Sequence, residues 1–383
     1  MAALYAEIAV AQLAKTGEEL CGDKVEISRG DRTTTVVLSD GLGSGVKANI
    51  LATLTTKIAS SLLKRDVPLP EVVNTIAQTL PVCRERKIAY STLHIVKILS
   101  SGEVRIVEFD CPASFLLRGG KVVAIPTREK LVAGKAIREG SLQLQEDDVV
   151  VAVSDGVIHA GIGGLLKLGW NWQGIAGELA AAGLAENDAE TIAGRILDCC
   201  NGYYMGRPGD DSTVVAVKIR RPRQLTLLTG PPANRDMDEM IVKRFLRSPG
   251  RRVIAGGTTA NIVGRITGRP VRVELAYDDP EIPPTASIEG IDLTTEGVLT
   301  LTAATSRLAR PKALRGQERR DGATMLARLL LEADTIEVLA GTAVNPAHQN
   351  PNFPSQINIK GQVLGQLREK LEALGKQVTI EWV

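Results

Sequence analysis

Two stretches of the chain put an aspartate at the tip of an apolar run and follow it with glycine. They are TTTVVLSDGLGSG, with Asp40 and Gly41, and DVVVAVSDGVIHAG, with Asp155. An aspartate placed this way suits a metal ion: a strand fixes the carboxylate, and glycine lets its own carbonyl approach closely. A third acidic position, Gly209-Asp210-Asp211-Ser212-Thr213, opens an apolar run, and a fourth, Cys21-Gly22-Asp23, precedes another. Four acidic sites at strand edges can converge at one end of a packed pair of sheets. Hard carboxylate oxygens without clustered His or Cys select Mg²⁺ or Mn²⁺ over zinc. Two such ions roughly 3.5–4 Å apart lower the pKa of a bridging water and polarise a phosphoryl group for in-line attack. Each motif also has an ordinary reading. Asp-Gly after a strand is a common turn, and Asp at such places often caps a helix.

The elements that must position these carboxylates follow from the hydrophobic pattern. Residues 4–15 form a candidate strand or short amphipathic segment. Residues 24–28 and 33–39 read as strands joined by the turn Arg29-Gly30-Asp31, and helices are expected over about 44–64 and 70–80. Short β-rich runs at 91–99, 103–109, 114–117 and 121–125 are separated by Gly or Pro. The continuous apolar run at 148–154 reads as a strand buried on both faces. Helices at about 173–182 and 187–201 and a strand at 212–220 complete the unit. Hairpins between helix pairs argue for an α+β domain over residues 1–220. The basic, proline-bearing RRPRQ (220–224) has the composition of a linker.

A nucleotide reading of GLGSGVK fails on spacing. A phosphate loop needs four residues between its glycines and then Lys-Ser/Thr, whereas Ala48 follows Lys47 here. The dinucleotide fingerprint is also out of register, and the preceding Asp40 would repel a pyrophosphate.

In motif order and in the intervening helix and hairpin blocks, the first ~220 residues resemble the stage II sporulation protein E family, a bacterial branch of the metal-dependent (2C-type) Ser/Thr protein phosphatases. The matching segments are CGD (21–23), SDGLGSG (39–45), VAVSDGV (151–157) and GDDSTVVAVKI (209–219). The resemblance implies an αββα sandwich with a binuclear Mg²⁺/Mn²⁺ site at one edge. It implies that Asp40 bridges both metals, that the Gly41 carbonyl completes one shell, and that Asp23 serves the second metal mainly through water. Asp155 and Asp210 would hold the first metal, with Asp211 at the position after that ligand; Asp40, Asp155 and Asp210 are the catalytic set. The implied activity is hydrolysis of phosphoserine or phosphothreonine on a signalling partner. The alternative is a non-catalytic phosphatase-fold scaffold or ligand-sensing regulator. Spacing does not decide whether Arg29 or Arg32 stands near the phosphate. His159 has two readings, a general acid for the leaving oxygen or a residue outside the metal shell. His94 reads as a satisfied strand histidine.

The chain of 383 residues has room for two domains, and its +2 net charge, 44% hydrophobic and 23% charged residues describe a globular protein rather than a disordered one. Near-neutral charge and 3% aromatic residues speak against a nucleic-acid binder, which needs a basic face or stacking platforms. The N-terminal stretch lacks a basic region before its apolar segment, and no apolar run approaches the roughly 20 residues of a membrane span. Cys21, Cys83, Cys111, Cys199 and Cys200 form no CxxC pair. An odd count fits a reducing cytoplasm, and the Cys199-Cys200 pair reads as small apolar side chains on a buried helix.

From residue 225 strands and helices alternate, the pattern of a smaller α/β layered domain over 221–383. VIAGGTTANIVGR reads either as a strand, glycine loop and helix N-terminus that receives an anion or as a threonine-capped helix after a tight turn. The basic segment 307–320 reads as a solvated loop or as a face for an anionic partner, and VNPAHQNPNFP, with His348, as a rigid loop. Two roles remain open for this domain: a sensor of a small ligand, or a module that docks the phosphoprotein or drives homodimerisation.

Overall fold

The computed structural model describes residues 4–30, 32–79, 91–132, 134–181, 183–274, 279–314, 320–343 and 359–383. The chain divides into two compact units, Met1–Arg221 and Pro222–Val383.

The first unit holds two antiparallel sheets. One has six strands in the order Asp23–Arg29, Thr33–Asp40, Leu93–Leu99, Glu103–Phe109, Lys135–Gln143 and Thr127–Val132. The other has five, in the order Tyr5–Leu13, Ser212–Arg220, Val149–Val153, Phe115–Arg118 and Lys121–Val123. Strand side chains alternate between faces, and the cores sort accordingly. Val36, Leu38, Val96 and Ile106 of the first sheet pack against Val150, Ala152, Val215 and Val217 of the second. Val37, Ile95 and Val107 point the other way, onto Ala59, Leu63, Val72 and Ile76 of the helices Gly45–Lys64 and Leu69–Thr79. Val149, Val151, Val153 and Val214 pack on Ile175, Leu179, Ile192 and Ile196 of the helices Asn171–Leu179 and Ala189–Tyr203. The unit is therefore an αββα sandwich. Its central strands read as unbroken apolar runs because both faces are covered. Each fully buried Val, Leu or Ile contributes about 1.5–3 kcal/mol.

Two strands absent from the sequence reading, Thr127–Val132 and Lys135–Gln143, extend the six-stranded sheet. The former is exposed along nearly its whole length, so no apolar alternation marks it. Cys200 is buried and Cys199 half-buried on the helix Ala189–Tyr203, and Cys21, Cys111, Cys199 and Cys200 are free thiols. Cys83 lies outside the described residues. No helix among the described residues is long and apolar enough to cross a membrane.

The second unit is built on a seven-stranded sheet with five parallel strands: Gln224–Thr229, Arg251–Ala255, Leu293–Thr295, Thr335–Ala340 and Gln377–Trp382. Numbered in chain order, they lie 3-2-1-4-5 across the sheet, with the short antiparallel strands Ala286–Ser287 and Arg272–Val273 beyond the third. One face packs on the helices Val298–Arg307, Gly322–Glu332 and Ile359–Ala373, the other on Asp238–Arg247 and Gly257–Thr267.

Two elements here go unmarked in the sequence, and one expectation changes. Leu293–Thr295 is too short to show a period, and the threonine-rich helix Val298–Arg307 carries β-branched residues that disguise it; burial of Leu301 and Ala304 overrides the local preference. The start of the basic segment is not a solvated loop. Arg307 ends a helix, and its guanidinium bonds Asp321 and pairs with Asp279 at 3.1 Å. Residues 315–319 and the loop bearing His348 lie outside the described residues.

Candidate metal centre

The Asp23–Arg29 and Thr33–Asp40 strands pair antiparallel with Asp23 opposite Asp40 and Arg29 opposite Thr34. Both carboxylates therefore leave the hairpin at its open end. The chain enters Asp23 through a turn latched on both sides: Asn49 Nδ2 donates to the Cys21 carbonyl at 2.7 Å, and Gln12 Nε2 donates to Thr213 Oγ1 at 2.9 Å beside it. After Asp40 the chain bends at Gly41, which bridges to Ser91. The Asp40 amide donates to Thr92 Oγ1 at 2.9 Å, and the Ser91 hydroxyl donates to the Asp40 carbonyl at 3.0 Å. Gly41 itself packs on the Ala48 carbonyl of the following helix so closely that a Cβ would collide with it. This is why glycine stands there: the first helix can start under the tip of the strand.

The other sheet supplies the remaining carboxylates. Val153 pairs with Val214, so the chain before Ser212 lies beside the chain after Val153. There the Ser154 amide donates to the Thr213 carbonyl at 3.0 Å, and Ser154 Oγ accepts from the Thr213 amide at 2.8 Å. Asp155 follows as the first residue of a one-turn helix, Asp155–Ile158. Gly156 backs onto the Asp211 carbonyl with no room for a side chain, and the Tyr204 hydroxyl donates to the Gly156 carbonyl at 2.7 Å. The two sheets meet at Gly22, where an added Cβ would lie 2.8 Å from Asp211 Oδ2 and 2.9 Å from Ala48 Cβ. Asp211 Oδ1 accepts from the Lys15 amide at 3.0 Å.

The electrostatics report the same convergence. Burial pushes the Asp40 carboxyl up to about 9, and the charges of Asp23, Asp155 and Asp210 and a hydrogen bond with Asp155 add to the rise. Burial raises Asp23 to about 6, against the opposing pull of the Thr213 and Ser154 hydroxyls, neither of which reaches hydrogen-bonding geometry with it, and the charges of Asp211 and Asp155 add to the rise. Asp210 is raised by burial and by Asp155, with Lys15 working the other way. The Cys21 thiol is pushed up to about 12 by burial and by Asp23, which makes it a poor nucleophile. Asp23 and Asp211 are almost fully buried, and both oxygens of Asp23 and Oδ2 of Asp211 have no hydrogen-bond partner.

Buried carboxylate oxygens without donors are what a hard dication satisfies, and the donor set of Asp23, Asp40, Asp155, Asp210, Asp211 and the Gly41 carbonyl is all oxygen. The residues thus fit Mg²⁺ or Mn²⁺. They do not form a closed cage: among the described residues no three His, Cys, Asp or Glu side chains are gathered tightly enough to enclose an ion.

Other candidates lie elsewhere. Arg29 sits at the turn end of its hairpin, six residues or about 20 Å along the strand from Asp23. There its guanidinium donates to the Ala6 carbonyl and stacks over the Tyr5 ring. Arg32, beyond the same turn, is equally remote from the carboxylates. His159 is exposed at the end of the Asp155–Ile158 turn. His94 is buried with Nε2 2.7 Å from Ser114 Oγ, and burial lowers its pKa. The sequence reading did not single out Ser154, Thr213, Ser91 and Thr92, the hydroxyls that hold the strand tips together. Ser154 and Thr213 stood inside the quoted motifs, directly before Asp155 and two residues after Asp211.

Comparison with known proteins bears on this unit. Residues 30–220 match the family profile described as Stage II sporulation protein E (SpoIIE). The Stage II sporulation protein E of Bacillus subtilis (strain 168) is 26% identical over 218 residues, which is 55% of this chain and 25% of that protein. The chain thus spans about a quarter of the length of the curated relative it matches. A solved structure of the PP2C phosphatase domain with a fragment of the regulatory domain of that Bacillus subtilis protein superposes with a TM-score of 0.50 at 23% identity, covering 57% of this chain and 64% of the other. A second structure of its phosphatase domain, in a crystal form without domain swapping, gives 0.46 at 21%, covering 58% and 95%. The family match ends at residue 220.

Proposed function

Because residues 30–220 form a phosphatase domain of the stage II sporulation protein E type, we propose that the first unit hydrolyses phosphoserine or phosphothreonine on a signalling partner protein. The reading rests on one observation above all. Aspartates from separate strand tips converge, and Asp23 and Asp211 keep buried oxygens without donors. Asp23, Asp40, Gly41, Asp155, Asp210 and Asp211 would hold two Mg²⁺ or Mn²⁺ ions, which supply Lewis acidity and a water acidic enough to attack phosphorus near neutral pH.

The protein's own residues set up that chemistry. Burial, and after it the charges of Asp23, Asp155 and Asp210, keep a proton on Asp40 well above the usual carboxylate range, so a bound dication would take that proton's place. Ser154, hydrogen-bonded to the Thr213 amide, fixes the spacing between the Asp155 turn and the Asp210-Asp211 turn. The Asp40 amide and carbonyl, tied to Thr92 and Ser91, fix the direction in which its carboxylate leaves the sheet. No cysteine nucleophile is required, which agrees with the raised thiol of Cys21 beside Asp23.

The test is Mn²⁺-dependent hydrolysis of an aryl phosphate and of a phosphopeptide by the full chain. Wild-type protein should turn both over, and Asp40→Asn and Asp155→Asn should lose the activity. Turnover unchanged in either variant refutes the assignment. The alternative, a scaffold that keeps the fold without catalysis, is favoured by the lack of a closed cage among the described residues. It requires that purified protein take up no Mn²⁺.

A further inference from the structure

The parallel strands of the second unit end together: Thr229 is level with Ala255 and Ala340, and Ala255 with Thr295. Their 3-2-1-4-5 order reverses the winding between Gln224–Thr229 and Thr335–Ala340. In open sheets of this kind a ligand crevice lies beyond the strand tips at that reversal.

Two glycines from neighbouring strands let Lys360 and Thr259 come close to the backbone there. Gly230 follows Thr229 with φ +76°, and a side chain on it would run into Lys360 Nζ and lie 3.2 Å from the Gly341 carbonyl oxygen. Gly256 follows Ala255 with φ +140°, and a side chain there would lie 3.2 Å from Thr259 Oγ1 and 4.0 Å from the Gly230 amide nitrogen. Lys360 brings a positive charge to this place and donates to the Gly341 carbonyl at 2.7 Å.

Gly256 also caps the eleven-residue helix Gly257–Thr267, and no side chain caps it. The first-turn amides of that helix therefore open toward the crevice. An independent observation points to a ligand. Thr259 is 3% exposed, yet its hydroxyl has no hydrogen-bond partner. The carbonyl four residues back, Ala255, accepts from the Thr229 hydroxyl at 2.8 Å. A buried hydroxyl left without a partner costs about 1–3 kcal/mol, so its retention beside a helix N-terminus calls for an acceptor from outside the chain. On the far side of Gly257 stands Glu296. Its carboxylate accepts from the Gly297 amide at 3.2 Å and would lie 3.1 Å from a Cβ on Gly257. An acceptor at that position suits a ligand hydroxyl.

We propose that this crevice binds a small phosphorylated polyol, a nucleotide or a sugar phosphate. Its phosphoryl group rests on the first-turn amides and the Thr259 hydroxyl beside Lys360, and its hydroxyls face Glu296. The second unit is then a metabolite-binding module.

The experiment uses the full chain in EDTA, which keeps divalent ions from the carboxylate cluster. ADP and ribose 5-phosphate are the probes, with salt matched by NaCl, and calorimetry and the thermal midpoint are the readouts. At least one probe should bind and raise the midpoint: ADP alone identifies a nucleotide site, and both identify recognition of the shared phosphosugar. Thr259→Val replaces a partnerless hydroxyl with a methyl of the same shape, so the unliganded midpoint should hold or rise while affinity falls about tenfold. Lys360→Met should weaken binding at least as much. Asp40→Asn should bind the probes as wild type does, so loss of the metal-centre reading leaves this test intact. Binding of neither probe, or binding undiminished in both Thr259→Val and Lys360→Met, overturns the proposal.

Discussion

Asp23 and Asp40 face each other across one antiparallel register, at the end of their hairpin opposite its turn. That pairing brings the buried Asp23 and the half-buried Asp40 together, and the second sheet adds Asp155, Asp210 and Asp211 to the same corner. Burial first, and then the charges of Asp23, Asp155 and Asp210, hold the Asp40 proton well above the usual carboxylate range.

Asp40→Asn should therefore separate activity from stability. Metal-dependent turnover of an aryl phosphate should fall on the order of a thousandfold or more, because an amide cannot supply the anionic charge that holds a dication. In EDTA the same variant should melt higher than wild type by a few degrees, since a strained acid has been removed. A variant that melts lower in EDTA would contradict the electrostatic account.

The pH dependence of the metal-free protein follows in sign. Asp40 has a folded pKa of about 9 against 3.8 for the free side chain, so between these values the folded state binds more protons than the unfolded one. Stability from this group is present below about pH 4 and is lost as pH rises toward about 9. Asp23, raised to about 6, acts in the same direction over a narrower window. Melting curves in EDTA should decline with pH more steeply for wild type than for Asp40→Asn. Added Mn²⁺ should raise the wild-type midpoint more at pH 8 than at pH 6, because protons compete for the same oxygens. Equal slopes in the two proteins would count against Asp40 as the source.

Glycine substitutions test the packing of the strand tips. Gly156→Ala drives a Cβ into the Asp211 carbonyl, which must move the Asp210-Asp211 turn away from Ser154. Cost is expected at about 1–3 kcal/mol, with turnover down at least tenfold. Gly194→Ala is the control. That glycine lies on the helix Ala189–Tyr203 with nothing within 4 Å of an added Cβ, and the change should be neutral or stabilising by about 0.5–1 kcal/mol. Urea titrations and kcat measured side by side decide it.

Arg29→Ala should leave kcat within about twofold of wild type, since a site some 20 Å away along the strand feels little of its charge in salt. Lost packing on Tyr5 and the lost bond to the Ala6 carbonyl should instead cost about 1 kcal/mol of stability. A large kcat defect with unchanged stability would place Arg29 in the chemistry after all.

Much of the site was legible because glycines and aspartates punctuate apolar runs, and such punctuation is local. Asp40-Gly41 and Asp155-Gly156 could be read as strand tips from seven residues on either side. The hydroxyls of Ser91, Thr92, Ser154 and Thr213 could not be assigned roles, because each acts on a residue whose neighbourhood depends on strand pairing. The same limit hid the distance of Arg29: its nearness to Asp23 in the chain is cancelled by the extended strand between them. In the second unit Leu293–Thr295 and Val298–Arg307 escaped because one is too short and the other too rich in threonine for periodicity to show.

The chain by itself determined the kind of chemistry on offer: carboxylates set at strand tips, an apolar alternation that demands two covered sheets, and glycines where backbone must pass close to backbone. Tertiary structure alone decided which acids share a field, which of them keeps a proton, and that Thr259, Gly230 and Lys360, far apart in sequence, border one crevice. The reason is physical. Side-chain type and period act over a few residues, whereas charge coupling and burial depend on distances through space that only the pairing of strands sets.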